Sequence, residues 1–504
     1  MTATGPPTPA RAAGPTRYGL LPRALRALER SAPAWTVALL PALLGAAACF
    51  AASGEPATTA ASGEPAETTA RSPSEGAQGA KRAELETLRY PDALADPIAG
   101  TVYSLPAAYL DPGRAEALLR AVRERSPERE LIALVDPPMA RVLGEAAERL
   151  RVHLVPTEDR VFTPWPRDPF SVVQDFEGGL VLVDRPDRQR GREEDAGMAR
   201  TLLQGMPPAL ADRWGGLRLE RSALPFHNGH VLMAGDAAWI SLHSLEPRIL
   251  EILGLDRVPA ETFGTAAGID RYLAAADRAI EEFAALYGKP VRLVHPLPRS
   301  GPRPARTETM REIGGGGPFD LDSLVTFLPG EGEGLRALVG DPEAGRELLA
   351  GLDPEGWRAL EATYGIGGAG GRAGRPSAPL LAFQAGDRAV WLGRFLDLVA
   401  AHLAGEGIAV DRLPLLVVPT RLLSEPEAYG HEQFLLGWNN VVVEVRDGRT
   451  TAEGFSSGVP SADARAREIY AEAGADLELL PPLVTSVTGG GGYRCASNQI
   501  RMPR

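Results

Sequence analysis

Near its C-terminus the chain reads Val487-Thr488-Gly489-Gly490-Gly491-Gly492-Tyr493-Arg494-Cys495-Ala496-Ser497-Asn498. The only other cysteine among the 504 residues is Cys49, which lies in an N-terminal apolar segment. A lone thiol after four glycines and an arginine has the surroundings of a nucleophile, because glycine lets the backbone approach a ligand and a nearby cation favours the thiolate. The alternative is a small buried apolar residue at a strand end. The segment makes Cys495 a candidate catalytic residue.

The first 50 residues have the composition of an export signal. Five arginines precede an uncharged segment, residues 31–54, whose apolar centre ends in the small residues Ala46-Ala47-Ala48 before Cys49. Small residues before a cysteine resemble a bacterial lipoprotein cleavage site, and the segment is also just long enough for an uncleaved signal anchor. Both alternatives predict a protein exported to the bacterial cell envelope, held to the membrane by a lipid on Cys49 or by the anchor.

Residues 51–87 predict a disordered linker. The hexapeptide at residues 52–57 recurs at residues 61–66 within a segment of small, polar and proline residues. Such residues bury too little apolar surface to offset the entropy of the chain. The formal net charge of the protein is -12. An acidic body argues against a nucleic-acid partner and suits a cationic one, such as an arginine side chain.

Residues 88–504 alternate short apolar strands with amphipathic helices, which predicts a single α/β domain. The strands are predicted from these apolar runs and the helices from their periodicity. The predicted strands are residues 130–136, 152–155, 180–183, 231–233, 415–418 and 440–445, and the predicted helices are residues 139–150, 270–287, 387–404 and 461–473. Ser461 is the expected N-cap of the last helix, and Gly474 lies just past its end.

Three more segments place carboxylate or amide side chains beside glycine or proline, shortly before an apolar run. They read Trp165-Pro166-Arg167-Asp168-Pro169-Phe170, Gly314-Gly315-Gly316-Gly317-Pro318-Phe319-Asp320-Leu321-Asp322 and Phe434-Leu435-Leu436-Gly437-Trp438-Asn439-Asn440. In this order, with the cysteine segment last, they resemble the landmarks of the guanidino-modifying, or pentein, superfamily. The ending from Cys495 to Arg501 looks most like the C-terminal catalytic domain of protein-arginine deiminases, with agmatine deiminases as more distant relatives. The resemblance covers residues 88–504.

The resemblance implies a pseudo-symmetric α/β propeller of five ββαβ units with the active site at its centre. It also implies a hydrolase that converts the guanidinium of peptidyl or free arginine to citrulline. Asp168 and Asp322 would hold the planar cation by paired, charge-assisted hydrogen bonds. The Cys495 thiolate would attack the guanidinium carbon and form a covalent thiouronium. Arg494 and Asn439 would join the substrate-binding residues.

No cofactor or metal is implied by the resemblance. The partners that it implies are an arginine-containing peptide or protein, or a small guanidino compound. The calcium-binding domains that precede the catalytic domain in animal protein-arginine deiminases have no counterpart, since the tether occupies most of that length. Calcium activation is therefore not carried over.

The chain departs from the family at the residue that protonates the leaving nitrogen and activates water. The family uses a histidine there, and the matching residue is Asp320. A carboxylate is a poor substitute, because it repels a neighbouring thiolate and general acid–base catalysis typically contributes roughly 100- to 10,000-fold. His431 is the first candidate for a substitute proton carrier. His227 and His230 fall where relatives carry an acidic Glu-Gly-Gly-Asn-like segment, and they are expected to shape a pocket wall or a turn rather than bind a metal.

Three functions remain open on the sequence. The first is the arginine-directed hydrolase, with Cys495, Asp320 and Asp322 as catalytic residues. The second is a catalytically impaired relative that binds arginine-like ligands or proteins. The third, an amidinotransferase, would use the same thiouronium but pass it to an amine.

Overall fold

The computed structural model describes residues 88–158, 160–186, 192–314, 320–332, 334–366, 377–423 and 432–502. Contacts divide the chain into Met1–Ser72 and Pro73–Arg504, and all described residues belong to the second unit. The predicted export segment with Cys49, the predicted linker and His431 lie outside the described residues. Within the described ranges, no helix is both long enough and apolar enough to cross a membrane.

The described residues form seventeen β-strands. In chain order they are β1 Ile98–Ser104, β2 Glu130–Val135, β3 Val152–Pro156, β4 Phe170–Gln174, β5 Leu180–Asp184, β6 Leu217–Arg221, β7 Val231–Ala234, β8 Ala237–Ile240, β9 Val291–Leu293, β10 Val325–Pro329, β11 Leu335–Asp341, β12 Ala409–Pro419, β13 Gln433–Gly437, β14 Val442–Arg446, β15 Arg449–Phe455, β16 Asp476–Leu480 and β17 Ser497–Arg501.

Thirteen α-helices connect these strands within the same described ranges. They are α1 Pro112–Arg125, α2 Pro137–Leu150, α3 Met198–Gly205, α4 Pro208–Arg213, α5 Leu242–Leu253, α6 Ala266–Tyr287, α7 Arg303–Gly314, α8 Pro342–Ala350, α9 Pro354–Tyr364, α10 Ser377–Gln384, α11 Asp387–Gly405, α12 Pro460–Glu472 and α13 Val484–Thr488. The predicted α/β class is confirmed.

The strands form five small sheets that repeat one pattern. In each sheet a first strand pairs antiparallel with a second, and the second pairs parallel with a third that follows one or more helices. The five triplets are β4-β5-β6, β7-β8-β9, β10-β11-β12, β14-β15-β16 and β17-β1-β2. Because β17 pairs with β1, the C-terminal segment completes the sheet that begins at the other end of the domain.

Two elements begin at a different residue from the one predicted, each for a physical reason. Helix α12 begins at Pro460 and not at the expected N-cap Ser461, because proline is well suited to the first helical position, where its missing N–H costs nothing. Strand β14 begins at Val442 and not at Asn440, whose side chain bonds instead to the cysteine segment. Two more elements begin earlier than predicted, β12 at Ala409 and not at residue 415, and α6 at Ala266 and not at residue 270. Strand β2 ends before Asp136, which accepts a hydrogen bond from the Met139 N–H as the N-cap of α2.

The segment that leads to Cys495 is tied to other sheets by a buried polar network. The hydroxyl of Tyr493 lies 2.9 Å from that of Tyr103 in β1 and donates to Glu453 in β15 (3.2 Å). Arg129 pairs with Glu453 (2.6 Å) and with Glu444 in β14 (3.0 Å), and this ion-pair set is buried. A buried network of this kind holds a geometry as long as every member is satisfied. It therefore fixes the backbone two residues before the thiol.

The first strands of all five sheets line one internal cavity of about 90 Å³. Ser171 of β4, Leu232 of β7, Thr326 of β10, Val442 of β14 and Asn498 of β17 all contribute to its wall. The five first strands therefore face a common space, although they are far apart in the sequence.

Candidate active site

Polar residues stand just before the first strand of each sheet. Asp168 precedes β4, His227 and His230 precede β7, and Asp320 and Asp322 precede β10. Asn440 precedes β14 and Cys495 precedes β17. Since the first strands face one cavity, the segments that enter them meet as well. The structure thus brings together residues that span more than 300 positions of the sequence.

Cys495 is buried, with 1% of its surface exposed, and Asn440 bonds to it twice. The Cys495 N–H donates to Asn440 Oδ1 (3.1 Å), and Asn440 Nδ2 donates to Cys495 Sγ (3.1 Å). Asn440 was not among the predicted site residues. Its neighbour Asn439, predicted to bind substrate, instead donates to the carbonyl of Leu338 (2.8 Å) and lines the internal cavity. The amide at the thiol is therefore one residue later than predicted.

The glycine run is required because Trp165 packs directly against it. Trp165 donates to Ser486 Oγ (3.1 Å), and Ser486 Oγ donates to the carbonyl of Gly491 (3.2 Å). A Cβ at Gly491 would lie 2.5 Å from the indole nitrogen of Trp165 and 2.9 Å from the Cβ of Cys495. Any side chain at this position would displace either the indole or the cysteine. Gly490, with φ of +98°, provides the backbone conformation that L-residues rarely adopt.

Gly491→Ala is therefore expected to reduce the free energy of unfolding by about 1–3 kcal/mol, the usual cost of overpacking. The matched control is Gly144→Ala in α2, where a Cβ would meet no atom within 4 Å. Alanine is the better helix former, so this control should be neutral or stabilising by up to about 1 kcal/mol. Urea unfolding of both variants checks the prediction. Equal stability of the two would show that the contact between Trp165 and the glycine run is not tight.

Asp322 is fully buried and is already paired within the protein. Arg494 Nη1 donates to Asp322 Oδ2 (2.5 Å), and Asn440 Nδ2 donates to Asp322 Oδ1 (2.8 Å). Both carboxylate oxygens lie 3.7 Å from Cys495 Sγ. Arg494 also donates to the carbonyls of Asn228 and Val231. Asp322 and Arg494 were both predicted to bind substrate. In the structure they bind each other next to the thiol.

Asp168 is also paired with an arginine. Arg192 Nη1 donates to Asp168 Oδ2 (2.7 Å), and its guanidinium lies over the Trp165 ring at 4.8 Å from the centroid. Arg192 is held in turn by Asp195. The second oxygen of Asp168, Oδ1, is buried and has no hydrogen-bond partner among the described residues. Arg192 was not predicted, because no motif marks it. Asp168 keeps one oxygen available to a ligand.

Asp320 differs from the other two carboxylates, since no arginine pairs with it within the described part of the chain. Its Oδ1 lies 3.2 Å from His230 Nε2 and 3.7 Å from His227 Nδ1, and its Oδ2 lies 3.9 Å from Cys495 Sγ. Its side chain is 19% exposed, the largest exposure among the three carboxylates. His227 and His230, expected to shape a pocket wall or a turn, thus contact Asp320, the residue predicted to replace a catalytic histidine.

Burial sets the resting protonation of these groups. It raises the pKa of Cys495 well above its ordinary value, and the nearby Asp322, Asp320 and Asp168 charges raise it further. Burial, with the Asp168 charge, also raises the pKa of Asp320 to about 7. Burial lowers the pKa of His230 below its ordinary value. The resting site therefore holds a thiol and a neutral His230 next to an aspartic acid that titrates near neutrality.

The two other carboxylates titrate differently. Burial raises the pKa of Asp322 to about 6, against the opposing effect of its Arg494 partner. Burial also acts to raise the pKa of Asp168, but His227 and Arg192 outweigh it and hold this pKa below its ordinary value. At neutral pH Asp168 is therefore ionised and bound to Arg192.

The same cluster has the donor atoms of a metal site. His227, His230 and Asp320 each offer one ligand atom within 4.8 Å of the others, and so do Asp168, Asp320 and Cys495. Tetrahedral zinc with bonds of about 2.1 Å separates its ligand atoms by about 3.4 Å. The distances of 3.2 and 3.7 Å from the histidines to Asp320 approach that spacing. These residues could hold a transition metal ion, although the sequence predicted no metal.

No family model and no curated protein matches the chain. Among solved structures, it is similar to an X-ray structure of a candidate agmatine deiminase, with 11% identity and a TM-score of 0.46, over 84% of this chain and 98% of that one. It is similar over the same shares to the agmatine deiminase of Enterococcus faecalis, with 10% identity and a TM-score of 0.46. Likenesses this distant assign no reaction, so the chemistry must be argued from the residues themselves.

Proposed function

We propose that this protein is a thiol-dependent hydrolase that removes ammonia from a guanidinium group. One observation carries the proposal: the buried Cys495 thiol lies 3.7–3.9 Å from the carboxylates of Asp322 and Asp320, and Asp168 belongs to the same cluster. Three carboxylates around a thiol disfavour its ionised form and repel anionic substrates. Such a cluster suits an electrophile that is itself a cation, and a guanidinium is a planar cation with an electrophilic carbon.

We infer that the five sheets are the units of a five-bladed pentein propeller. Its support is the repeated sheet pattern and the cavity that all five first strands line. A polar residue at the entry of each first strand then places five segments around one centre. The finer likeness to protein-arginine deiminases rests on the sequence motifs alone.

Binding of the cation activates the thiol in this proposal. The unpaired Oδ1 of Asp168 and the carboxylate of Asp320 are the available acceptors, since Asp322 is occupied by Arg494. Asp320 thus replaces Asp322 as the second clamp. A guanidinium between the two aspartates brings a positive charge next to Cys495, which lowers the thiol pKa when substrate is bound. Asn440 stabilises the thiolate by its hydrogen bond to Sγ.

The reaction then follows two displacements. Sγ bonds to the guanidinium carbon, the C–N bond breaks, and the leaving nitrogen takes a proton and departs as ammonia. Water attacks the thiouronium carbon, gives a proton to the base, and the C–S bond breaks to return the thiolate. The product carries a urea group. Both steps need one group that gives and then accepts a proton next to Sγ.

We propose that His230 is that group and acts together with Asp320 and His227. In this proposal the acid and the histidine have exchanged positions relative to the family. The family pattern has an acid in the segment of residues 227–230 and a histidine at position 320, whereas this chain has histidines in the first place and an acid in the second. The structure brings His230 Nε2 to 3.2 Å from Asp320 Oδ1. The site thus retains one acid next to one histidine, with each residue type at the position that the other has in the family. This role replaces the one predicted for His431.

The proposal extends to the substrate, the product and the location of the protein. The substrate is peptidyl or free arginine and the product citrulline, acted on outside the cytoplasm by a protein attached to the membrane through its N-terminal segment. The three carboxylates around Cys495 support a guanidino partner. The cell-envelope location rests on the sequence of the first 50 residues.

A second candidate is a binding protein without turnover. Its support is that Arg494 and Arg192 occupy two of the three carboxylates and that burial raises the thiol pKa so far. In that case the pocket would bind a guanidinium at Asp320 and Asp168 without ionising Cys495.

The test is ammonia release from a peptidyl-arginine, free arginine and agmatine, each with and without a chelator. We expect turnover of at least one guanidine, unchanged by the chelator, because the proposed chemistry needs no metal. Turnover that the chelator abolishes would assign the reaction to a metal at His227, His230 and Asp320. No turnover, with saturable binding of arginine in calorimetry, would favour the binding protein.

A further inference from the structure

The cavity that the five first strands line has charged side chains of only one sign, which is positive. It is lined at its charged positions by Arg167, Arg494 and Arg501, and no aspartate or glutamate of the described residues lines it. The remaining wall consists of amide, hydroxyl and apolar side chains. A buried charge normally needs an opposite charge beside it, because its hydration is lost on burial.

Only one of the three arginines is neutralised. Arg494 pairs with Asp322, whereas Arg167 and Arg501 form no ion pair with any carboxylate in the described ranges. Arg501 donates to the carbonyls of Asp96 (2.7 Å) and Val443 (2.5 Å). These bonds satisfy N–H groups and leave the charge unbalanced.

Arg167 is less well satisfied still. Its Nη1 donates to Gln499 Oε1 (2.7 Å), while its buried Nε has no hydrogen-bond partner among the residues that the structure describes. The acids that act on Arg501 at longer range are Glu444, Asp96 and Asp92, and none of them lines the cavity. Glu444 shares Arg129 with Glu453, and Asp96 is paired with Arg89. Arg167 and Arg501 therefore share one cavity in which no described carboxylate contacts either guanidinium.

Loss of protons does not relieve this imbalance. Burial lowers the pKa of Arg167 to about 9 and the pKa of Arg501 to about 10. Both values lie above neutral pH, so both guanidinium groups keep their charge under ordinary conditions. An anion in the cavity is the opposite charge that both groups could contact directly.

We propose that the cavity binds one small inorganic anion, of the size and charge of chloride, against Arg167 and Arg501. A volume of about 90 Å³ has room for roughly six water molecules, or for one such anion with part of its hydration. Guanidinium N–H groups are strong donors to anions. The wall also includes the apolar Leu232 and Phe327, which exclude a larger, strongly hydrated ion. The anion is separate from the thiol chemistry proposed above.

The first test is the melting temperature of the full chain in sodium chloride against sodium gluconate at equal ionic strength. Gluconate is too large for the cavity and controls for screening. We expect chloride to raise the melting temperature by roughly 3 °C once its concentration exceeds the dissociation constant about a hundredfold. An equal melting temperature in both salts would argue against the site.

Two variants locate the effect. Arg167→Met and Arg501→Met each remove one cation, and both are expected to lose the chloride-specific rise. Arg449→Met is the control, since Arg449 is exposed and paired with Asp476, and it should keep the rise. A chloride effect that survives both cavity substitutions would place the anion elsewhere and overturn the proposal.

Bromide diffraction decides the matter if the variants do not fold. Crystals of the wild-type protein grown in bromide are expected to show one anomalous peak beside Arg167 and Arg501. No peak in the cavity, or a peak without any stabilisation by chloride or bromide in solution, would overturn the proposal. Neither readout depends on ammonia release, so the anion site and the hydrolase can fail independently.

Discussion

Replacing Cys495 with alanine is expected to lower ammonia release by at least about a thousandfold, to the uncatalysed background, because no other described group can form the thiouronium. Cys495→Ser is expected to be equally inactive while it keeps an acceptor for Asn440 Nδ2. The melting temperatures of both variants should stay close to that of the wild type. Turnover that survives the alanine substitution would exclude the covalent mechanism.

The same variants allow the pocket's charge preference to be measured. A cationic haloacetamidine should label the full chain at least about tenfold faster than neutral iodoacetamide, relative to their rates with a free thiol, because three carboxylates surround Sγ. Cys495→Ser keeps Cys49 as its remaining thiol and gives the background labelling. Equal relative rates at Cys495 would mean that the pocket does not select a cation.

Individual strands of this fold were predictable where they contain a short apolar run. Residues 131–135 in β2 are completely buried, and that run alone indicates a strand between two parallel neighbours. The pairing of β17 with β1 was not predictable from any local pattern, since it joins residues about 400 positions apart. It was only implied by the family resemblance. The start of α12 was misplaced because Ser461 has good capping chemistry, although Pro460 fits the first helical turn better.

Part of the candidate cluster was anticipated from the sequence, but its pairings were not. Asp168, Asp320 and Cys495 do meet, yet a sequence cannot show that Asp322 is taken by Arg494 or that Asp168 is taken by Arg192. Asn440 was missed because strand alternation can put either of two adjacent asparagines on the inner face. The histidines carried a signal that could have been used. On the predicted resemblance, they fall at an acidic segment of the relatives, while Asp320 falls at the relatives' histidine.

Asp320→Asn is expected to make the protein more stable, with a gain that grows as the pH rises. Burial raises the pKa of Asp320 to about 7 in the folded state, against 3.8 as its ordinary value. A raised carboxyl pKa means that folding opposes ionisation, so stability is lost as the pH rises from about 4 through 7. Asparagine cannot ionise. The gain in free energy of unfolding should be about 2 kcal/mol at pH 5 and about 4 kcal/mol at pH 8, as upper values.

Urea unfolding at the two pH values measures this, with Asp322→Asn as the matched control. Asp322 is paired with Arg494, and its loss would leave a buried arginine without its counter-charge. Burial also raises the pKa of Asp322, to about 6, so its substitution removes a similar ionisation cost. Because Arg494 is left unpaired, the control should still be clearly less stable than Asp320→Asn at both pH values. A loss of stability in Asp320→Asn as well would show that Asp320 is a structural partner of the histidines rather than an acid held at a cost.

The same Asp320→Asn variant is expected to lose about 100- to 10,000-fold in kcat, the usual contribution of a general acid–base group. A more stable but less active variant is the signature of a residue kept for chemistry. His230→Gln should cost a similar factor. If His230 and Asp320 move one proton together, the double variant should be little worse than either single one, because residues that act as a unit are not additive. The double variant could instead lose the product of the two single losses in kcat, while both single variants keep the wild-type pH dependence of kcat. That result would show that His230 and Asp320 act independently, and His431 would again be the first candidate for the proton carrier.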